Sequence, residues 1–176
     1  MRRLRYNVAM SLDGYIADSQ ERFDWIPNDD SVDFAGLFAR VDTFLLGRRT
    51  YETVLANGEP PWRPGARIYV VSRTLPAGQD DGVTVVRDDP VALASSLRHE
   101  PGDGEIWLFG GGQLFAGLLA ANQVDTVEIT VVPVLLGAGV PVVTFLPERR
   151  PLILTHSHVY PTGMVALHYS VPDAAG

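Results

Sequence analysis

The chain has 176 residues, a formal net charge of −7 and no cysteine. That length suits one domain, residues 1–176, and an acidic chain with no run or stripe of basic residues lacks the footprint of a nucleic-acid binder or of a protein held on an anionic membrane. Without cysteine there are no disulfides, thiolate nucleophiles or Cys-ligated zinc, which fits a reducing cytoplasm.

Apolar runs alternate with helix-like stretches along the chain. Residues 4–10 read as a first strand, and Asn7, Ser11 and Asp13 break the apolar stretch too early for a signal peptide. A helix is predicted over 30–39, with Val32, Phe34, Leu37 and Phe38 on one side. The short run 43–46 ends at Gly47, and a second helix follows over 49–56. Residues 67–71 form another short run, ending at Ser72, and 83–86 a further one. Asp89-Pro90 supplies an N-cap and a first-turn proline for a helix over 89–98. Residues 106–109 end at three glycines, and a helix over 113–121 closes near Asn122, a residue suited to a left-handed cap.

The longest apolar run, 124–132, continues into an uncharged stretch, 129–147, of almost membrane-spanning length. Pro133, Gly137, Gly139, Pro141 and Pro147 argue instead for a strand, a loop and a second short extended piece. Residues 152–159 and 164–171 flank Tyr160-Pro161-Thr162-Gly163 and read as an antiparallel hairpin. Short apolar strands alternating with helices predict a mainly parallel central sheet in a three-layer α/β/α fold, with the antiparallel hairpin at the C-terminus.

In a parallel sheet, ligands gather at the carboxyl ends of the strands. Three such ends are polar or glycine-rich. Gly47-Arg48-Arg49-Thr50 opens a helix with free backbone N–H groups, two guanidinium groups and a hydroxyl, which makes either a phosphate site or a helix start with solvated arginines. Val71-Ser72-Arg73-Thr74 offers a hydroxyl and a guanidinium for a second phosphate, or is a polar turn. Gly110-Gly111-Gly112-Gln113 lets a ligand approach bare backbone, or is a tight turn. It is neither the usual dinucleotide fingerprint, because Phe115 stands where the third small residue belongs, nor a Walker A loop. His156 and His158 share a strand face, but no carboxylate cluster accompanies them, so no metal site is expected.

The ordered motifs Ser11-Leu12-Asp13-Gly14, Gly47-Arg48-Arg49-Thr50-Tyr51-Glu52, Val71-Ser72-Arg73, Gly110-Gly111-Gly112-Gln113 and Pro133-Val134-Leu135-Leu136-Gly137 resemble the dihydrofolate-reductase-like superfamily. Within it the chain is most similar to the reductase domain of the bifunctional deaminase-reductase of riboflavin biosynthesis. The resemblance runs over residues 3–171 and implies NADPH as hydride donor. By motif, Gly47, Arg48, Arg49 and Thr50 would meet the pyrophosphate and its neighbouring phosphate, and Ser72 and Arg73 the adenosine ribose phosphate. Gly110, Gly111, Gly112 and Gln113 would cradle the pyrophosphate from the opposite side, and Ala9 and Ile16 would border the nicotinamide.

The same resemblance implies an acid near the substrate. In dihydrofolate reductases a tryptophan stands five residues before the acid and a phenylalanine four after it. Trp25, Asp30 and Phe34 match that spacing, which makes Asp30 the first candidate, with Asp29 and Asp33 as competitors. Carboxylates enriched at a helix N-terminus would look the same without any catalytic role. Thr130 matches a position that hydrogen-bonds the substrate ring. The implied reaction is hydride transfer to a pteridine- or aminopyrimidine-type small molecule, with a partly buried carboxyl orienting the substrate and helping to deliver a proton. A non-catalytic NADPH-binding sensor or assembly protein is the alternative, and a phosphosugar or nucleotide site without redox chemistry a weaker one. A homodimer is expected, with residues 124–132 and the C-terminal hairpin as candidate surfaces.

Overall fold

The computed structural model describes residues 1–58, 60–80 and 82–172. Nine strands form one sheet, which runs β10 (Ile153–Val159), β11 (Val165–Ser170), β8 (Thr126–Val132), β1 (Leu4–Ser11), β7 (Glu105–Gly110), β3 (Val41–Gly47), β4 (Arg67–Val71), β6 (Val83–Val86), β5 (Gly78–Asp80). The six strands from β8 to β6 are mutually parallel, so their carboxyl ends share one edge. The β10–β11 hairpin joins β8 antiparallel, and β5 closes the far side antiparallel to β6. A small second sheet pairs β2 (Tyr15–Asp18) with β9 (Gly139–Pro141).

Uninterrupted apolar strands are explained by cover on both faces. Along β3, Leu45 packs with Leu4, Tyr6, Ile106, Leu108 and Ile129 under α3 (Pro90–His99) and α4 (Gly112–Ala120). Its neighbours Phe44 and Leu46 point the other way, into a cluster with Val70 and Trp107 that Leu37, Phe38 and Tyr51 cover from α1 (Phe34–Arg40) and α2 (Arg48–Ala56). Leu97 and Leu118 are fully buried between the helices and the sheet. Each such side chain contributes about 1.5–3 kcal/mol. Tyr6 stacks on Phe115 with ring centroids 3.8 Å apart and donates its hydroxyl to Val142 O at 3.1 Å. Burial pushes the Tyr6 phenol well above its ordinary pKa.

The expected three-layer α/β/α architecture is therefore present, with the hairpin and the Asn122 left-handed cap (φ 57°) in place. One expectation needs correction, and two features were not foreseen. The helix expected over 30–39 starts only at Phe34, because the Asp33 side chain accepts the Gly36 N–H and so sets the helix start there. Strands β2 and β5 carry too few residues to stand out as apolar runs. The run 124–132 holds an interior strand, β8, with β1 and β11 paired to its two edges. The exposed edge of that side is β10. No helix among the described residues is long and apolar enough to cross a membrane.

Candidate active site

Strands β7, β3 and β4 are neighbours, so the three polar tips lie side by side on the carboxyl edge. Leu46 pairs with Gly110 on one side, and Gly47 pairs with Val71 on the other. Contact between the tips is close. A Cβ added at Gly110 would stand 2.9 Å from Thr50 Cγ2, and one at Gly111 would stand 3.9 Å from the Gly47 Cα. Gly111 has φ 101°, a region that disfavours side chains. Gly112 has no room for a Cβ because the Pro141 and Val142 carbonyls abut it. Packing within the protein thus requires glycine at 110 and 112, whatever the ligand.

Two helices begin at these tips. α2 is preceded by Gly47 and α4 by Gly111, and neither start has a side-chain cap. Their first-turn N–H groups therefore face the edge with the positive end of the helix dipole, the arrangement that binds anions. Gln113 lies in the first turn of α4 and is exposed.

The β4 tip is more occupied than its sequence suggests. The buried Ser72 hydroxyl accepts the N–H groups of Thr74 and Leu75 at 3.2 and 3.0 Å, so it shapes the turn first. Arg73 is exposed. Arg48 donates to Thr74 Oγ1 at 3.1 Å, and Arg87, from the adjacent β6 tip, donates to the Arg73 carbonyl at 2.8 Å. Arg48, Arg49, Arg73 and Arg87 thus gather on one edge of a chain whose net charge is −7. Arg87 is an addition that sequence reasoning missed. The available signal was an arginine just past a strand that pairs with β4.

The other half of the edge belongs to β1, β8 and the hairpin. The Ser11 hydroxyl donates to Asp13 Oδ1 at 2.7 Å, and Asp13 in turn accepts the N–H groups of Leu136 and Gly137. These donors, the Ser11 hydroxyl foremost, hold the Asp13 carboxyl below its ordinary pKa. Ala9 pairs with Thr130, and Thr130 pairs with Ala166 on its other side, so the three stand in one row, Ala9 and Thr130 half-buried and Ala166 buried. Ile16 is half-buried on β2.

The three competing carboxylates are sorted by their partners. Asp33 caps α1 at 2.8 Å. Asp29 is only 8% exposed and is occupied by Ser31 and Thr162. Those two hydroxyls hold its pKa down at about 2, so it is a fixed anion and not a proton donor. Asp30 is exposed. The partial burial expected of the catalytic carboxyl therefore belongs to its neighbour Asp29. Trp25 is half-buried and donates its indole N–H to Arg22 O at 3.1 Å, and Phe34 is 53% exposed.

A parallel sheet with this strand order, helices on both faces and a phosphate-suited carboxyl edge defines a dihydrofolate-reductase-like α/β domain. Residues 2–166 match the RibD C-terminal domain family, and the chain belongs to it. It is 31% identical over 165 residues to the uncharacterized protein YwjB of Bacillus subtilis (strain 168), covering 92% of this chain and 94% of YwjB. Its fold matches that of a Shewanella sp. PV-4 protein provisionally named as a riboflavin biosynthesis protein, with TM-score 0.82, 31% identity and coverage of 98% and 99% of the two chains. It also matches the diaminohydroxyphosphoribosylaminopyrimidine deaminase/5-amino-6-(5-phosphoribosylamino)uracil reductase of Thermotoga maritima, with TM-score 0.69 at 16% identity. That match covers 97% of this chain and 57% of the other, and it speaks to the fold alone.

Proposed function

We propose that this chain is a cytoplasmic NADPH-dependent reductase acting on a pteridine- or aminopyrimidine-type heterocycle. The observation that carries the reading is the adjacency of the β7, β3 and β4 tips, which joins two uncapped helix N-termini to four arginines. That donor set fits a long, multiply phosphorylated ligand. NADPH bound there would supply the hydride.

The protein's part is to bind, orient and exclude water. Arg48, Arg49, Thr50 and the Gly111–Gln113 turn would hold the pyrophosphate, and Arg73 the ribose phosphate. Ala9 and Ile16 would border the nicotinamide, Trp25 and Phe34 would line the substrate ring, and Thr130 would be its hydrogen-bond partner. The reaction such a site would serve is reduction of a C=N or C=O bond, in which the protein's own part is to deliver one proton to the heteroatom. Of the three competing carboxylates, Asp30 is the one left to orient the ring and relay that proton, since Asp29 and Asp33 are taken.

Titrating the chain with NADPH, then adding dihydropteridines and aminopyrimidine ribosides, tests the reading by cofactor fluorescence and its decay on oxidation. Unchanged turnover in Asp30→Asn and Asp30→Ala across pH would remove Asp30 from the mechanism. The exposure of Asp30 favours one rival, a protein that binds NADPH without turnover. Saturable binding with no oxidation of any candidate would establish that rival.

A further inference from the structure

Residues 19–33, between β2 and α1, form no helix or strand, yet two long-range ties hold them. Near one end, Glu21 (φ 61°) places its carboxylate 3.3 Å from Arg49 of α2, beside the β3 tip. Near the other, Asp29 reaches the Tyr160–Gly163 turn beside β11. In the sheet, β3 and β11 are separated by β7, β1 and β8. Four strand spacings amount to roughly 19 Å, and the eight residue steps from Glu21 to Asp29 reach at most about 29 Å. The segment is therefore long enough to run from the β3 side of the carboxyl edge to the β11 side, and Trp25 is the midpoint between its two ties.

We propose that Asp29 is a positioning residue for the site: by gripping Thr162 it fixes the substrate-side end of this crossing segment, and with it Trp25 and Asp30. The proposal rests on the reductase reading above. A local turn explains only half of what Asp29 does. Its Oδ1 accepts the Ser31 N–H at 3.0 Å and the Ser31 hydroxyl at 2.5 Å, which is ordinary turn chemistry. Its Oδ2 accepts the Thr162 hydroxyl at 2.7 Å and the Thr162 N–H at 3.4 Å, across 133 residues of chain. The hairpin turn does not need this help, because Gly163 N–H to Tyr160 O at 2.9 Å and Tyr160 N–H to Met164 O at 2.8 Å close it already. Thr162 thus has donors to spare for the crossing segment. The carboxylate remains charged through the neutral range, so the grip does not loosen there. Asp30 is the next residue along and is exposed, so its backbone position follows from that of Asp29.

The test compares wild type with Thr162→Val, which removes the hydroxyl at nearly constant volume, and with Thr162→Ser, which keeps it. NADPH dissociation constants, kcat and KM for the dihydropteridine and aminopyrimidine riboside probes, and backbone amide exchange over residues 19–33 are measured for each. Thr162→Val is expected to raise KM and the exchange rate over 23–32 roughly tenfold each. NADPH affinity should stay within about twofold, and Thr162→Ser should restore wild-type values. Unchanged KM and exchange in Thr162→Val overturn the proposal, as does a loss of NADPH affinity in step with KM. A wild-type chain that binds no NADPH overturns the reductase reading instead, and exchange over 19–33 then decides by itself whether the Asp29 grip exists.

Discussion

Asp13 and Gly137 are joined by a 2.7 Å hydrogen bond from the glycine N–H to the aspartate carboxylate, across 124 residues of chain. Leu136 N–H reaches the same carboxylate at 3.1 Å, and Leu12 N–H donates to Val134 O at 2.9 Å. The Ser-Leu-Asp-Gly segment after β1 and the Pro-Val-Leu-Leu-Gly segment after β8 are therefore two sides of one seam. It holds neighbouring strand tips together at the substrate half of the edge. Asp13→Ala should open the seam, lowering thermal stability and weakening substrate binding more than NADPH binding. Equal losses for both ligands, in parallel titrations, would show that the seam does not divide the edge in this way.

Acid should expose the same carboxylates. Asp13 and Asp29 both have folded-state pKa values below the ordinary 3.8, Asp29 at about 2. As pH falls below the unfolded value, the unfolded chain takes up protons first, so stability declines with pH. Their contribution is complete well above 3.8 and is lost as pH approaches 2. Urea midpoints measured between neutral pH and pH ~2 should fall more steeply for wild type than for Asp29→Asn, which starts lower at neutral pH. Parallel curves would mean that Asp29 binds its proton equally well in the folded and unfolded chain, so that the Ser31 and Thr162 hydroxyls do not lower its pKa.

Each glycine of the β7 tip should fail for its own reason. Gly110→Ala meets Thr50 and should cost about 1–3 kcal/mol by overpacking, with Thr50→Ser recovering part of it because the crowded methyl is removed. Gly111→Ala meets nothing closer than 3.8 Å, yet its positive φ should cost about 1–2 kcal/mol, which Thr50→Ser cannot recover. Thermal unfolding of the four variants separates the two mechanisms, and rescue of Gly111→Ala would contradict the strain argument.

The sheet was legible because its strands are buried on both faces and so print as short apolar runs such as Phe44-Leu45-Leu46. Asp89-Pro90 and Asn122 marked helix ends through local backbone chemistry that needs no tertiary context. The order of the strands was not legible, yet it alone brings Gly47, Ser72 and Gly110 together. The acid was the hardest part. Spacing from Trp25 singled out Asp30, but burial and hydrogen bonding depend on Thr162, far along the chain, and these went to Asp29. Arg87 was invisible for the same reason, since its partner is a carbonyl on a neighbouring strand tip.

The arginines at the β4 and β6 tips should separate NADPH from NADH. Arg73→Ala is expected to weaken NADPH roughly tenfold or more while leaving NADH unchanged, since only the former carries the extra phosphate. Arg87 donates to the Arg73 backbone, so Arg87→Ala should lower the same preference by a smaller factor. Paired fluorescence titrations with the two nucleotides measure both. A wild-type chain with equal affinities would leave Arg73 without the assigned phosphate.

The edge strand β10 bears on the oligomeric state, which we propose is a homodimer. All seven of its residues are exposed, and Ile153, Leu154 and Val159 are 56%, 53% and 68% accessible. Apart from His156 and His158 it carries no ionisable side chain, and it contains no proline, so it lacks the usual devices that blunt a free strand edge. A second copy can pair with it antiparallel and continue the sheet; in full register about His156, Ile153 of one copy faces Val159 of the other and no carboxylate or lysine intervenes. Leu154→Lys and Val159→Lys should then yield monomers by light scattering. NADPH affinity should be retained, because the three phosphate-suited tips sit beyond β11, β8 and β1, away from this edge. A monomeric wild type would refute the pairing, and a dimer unaffected by both substitutions would move the interface elsewhere.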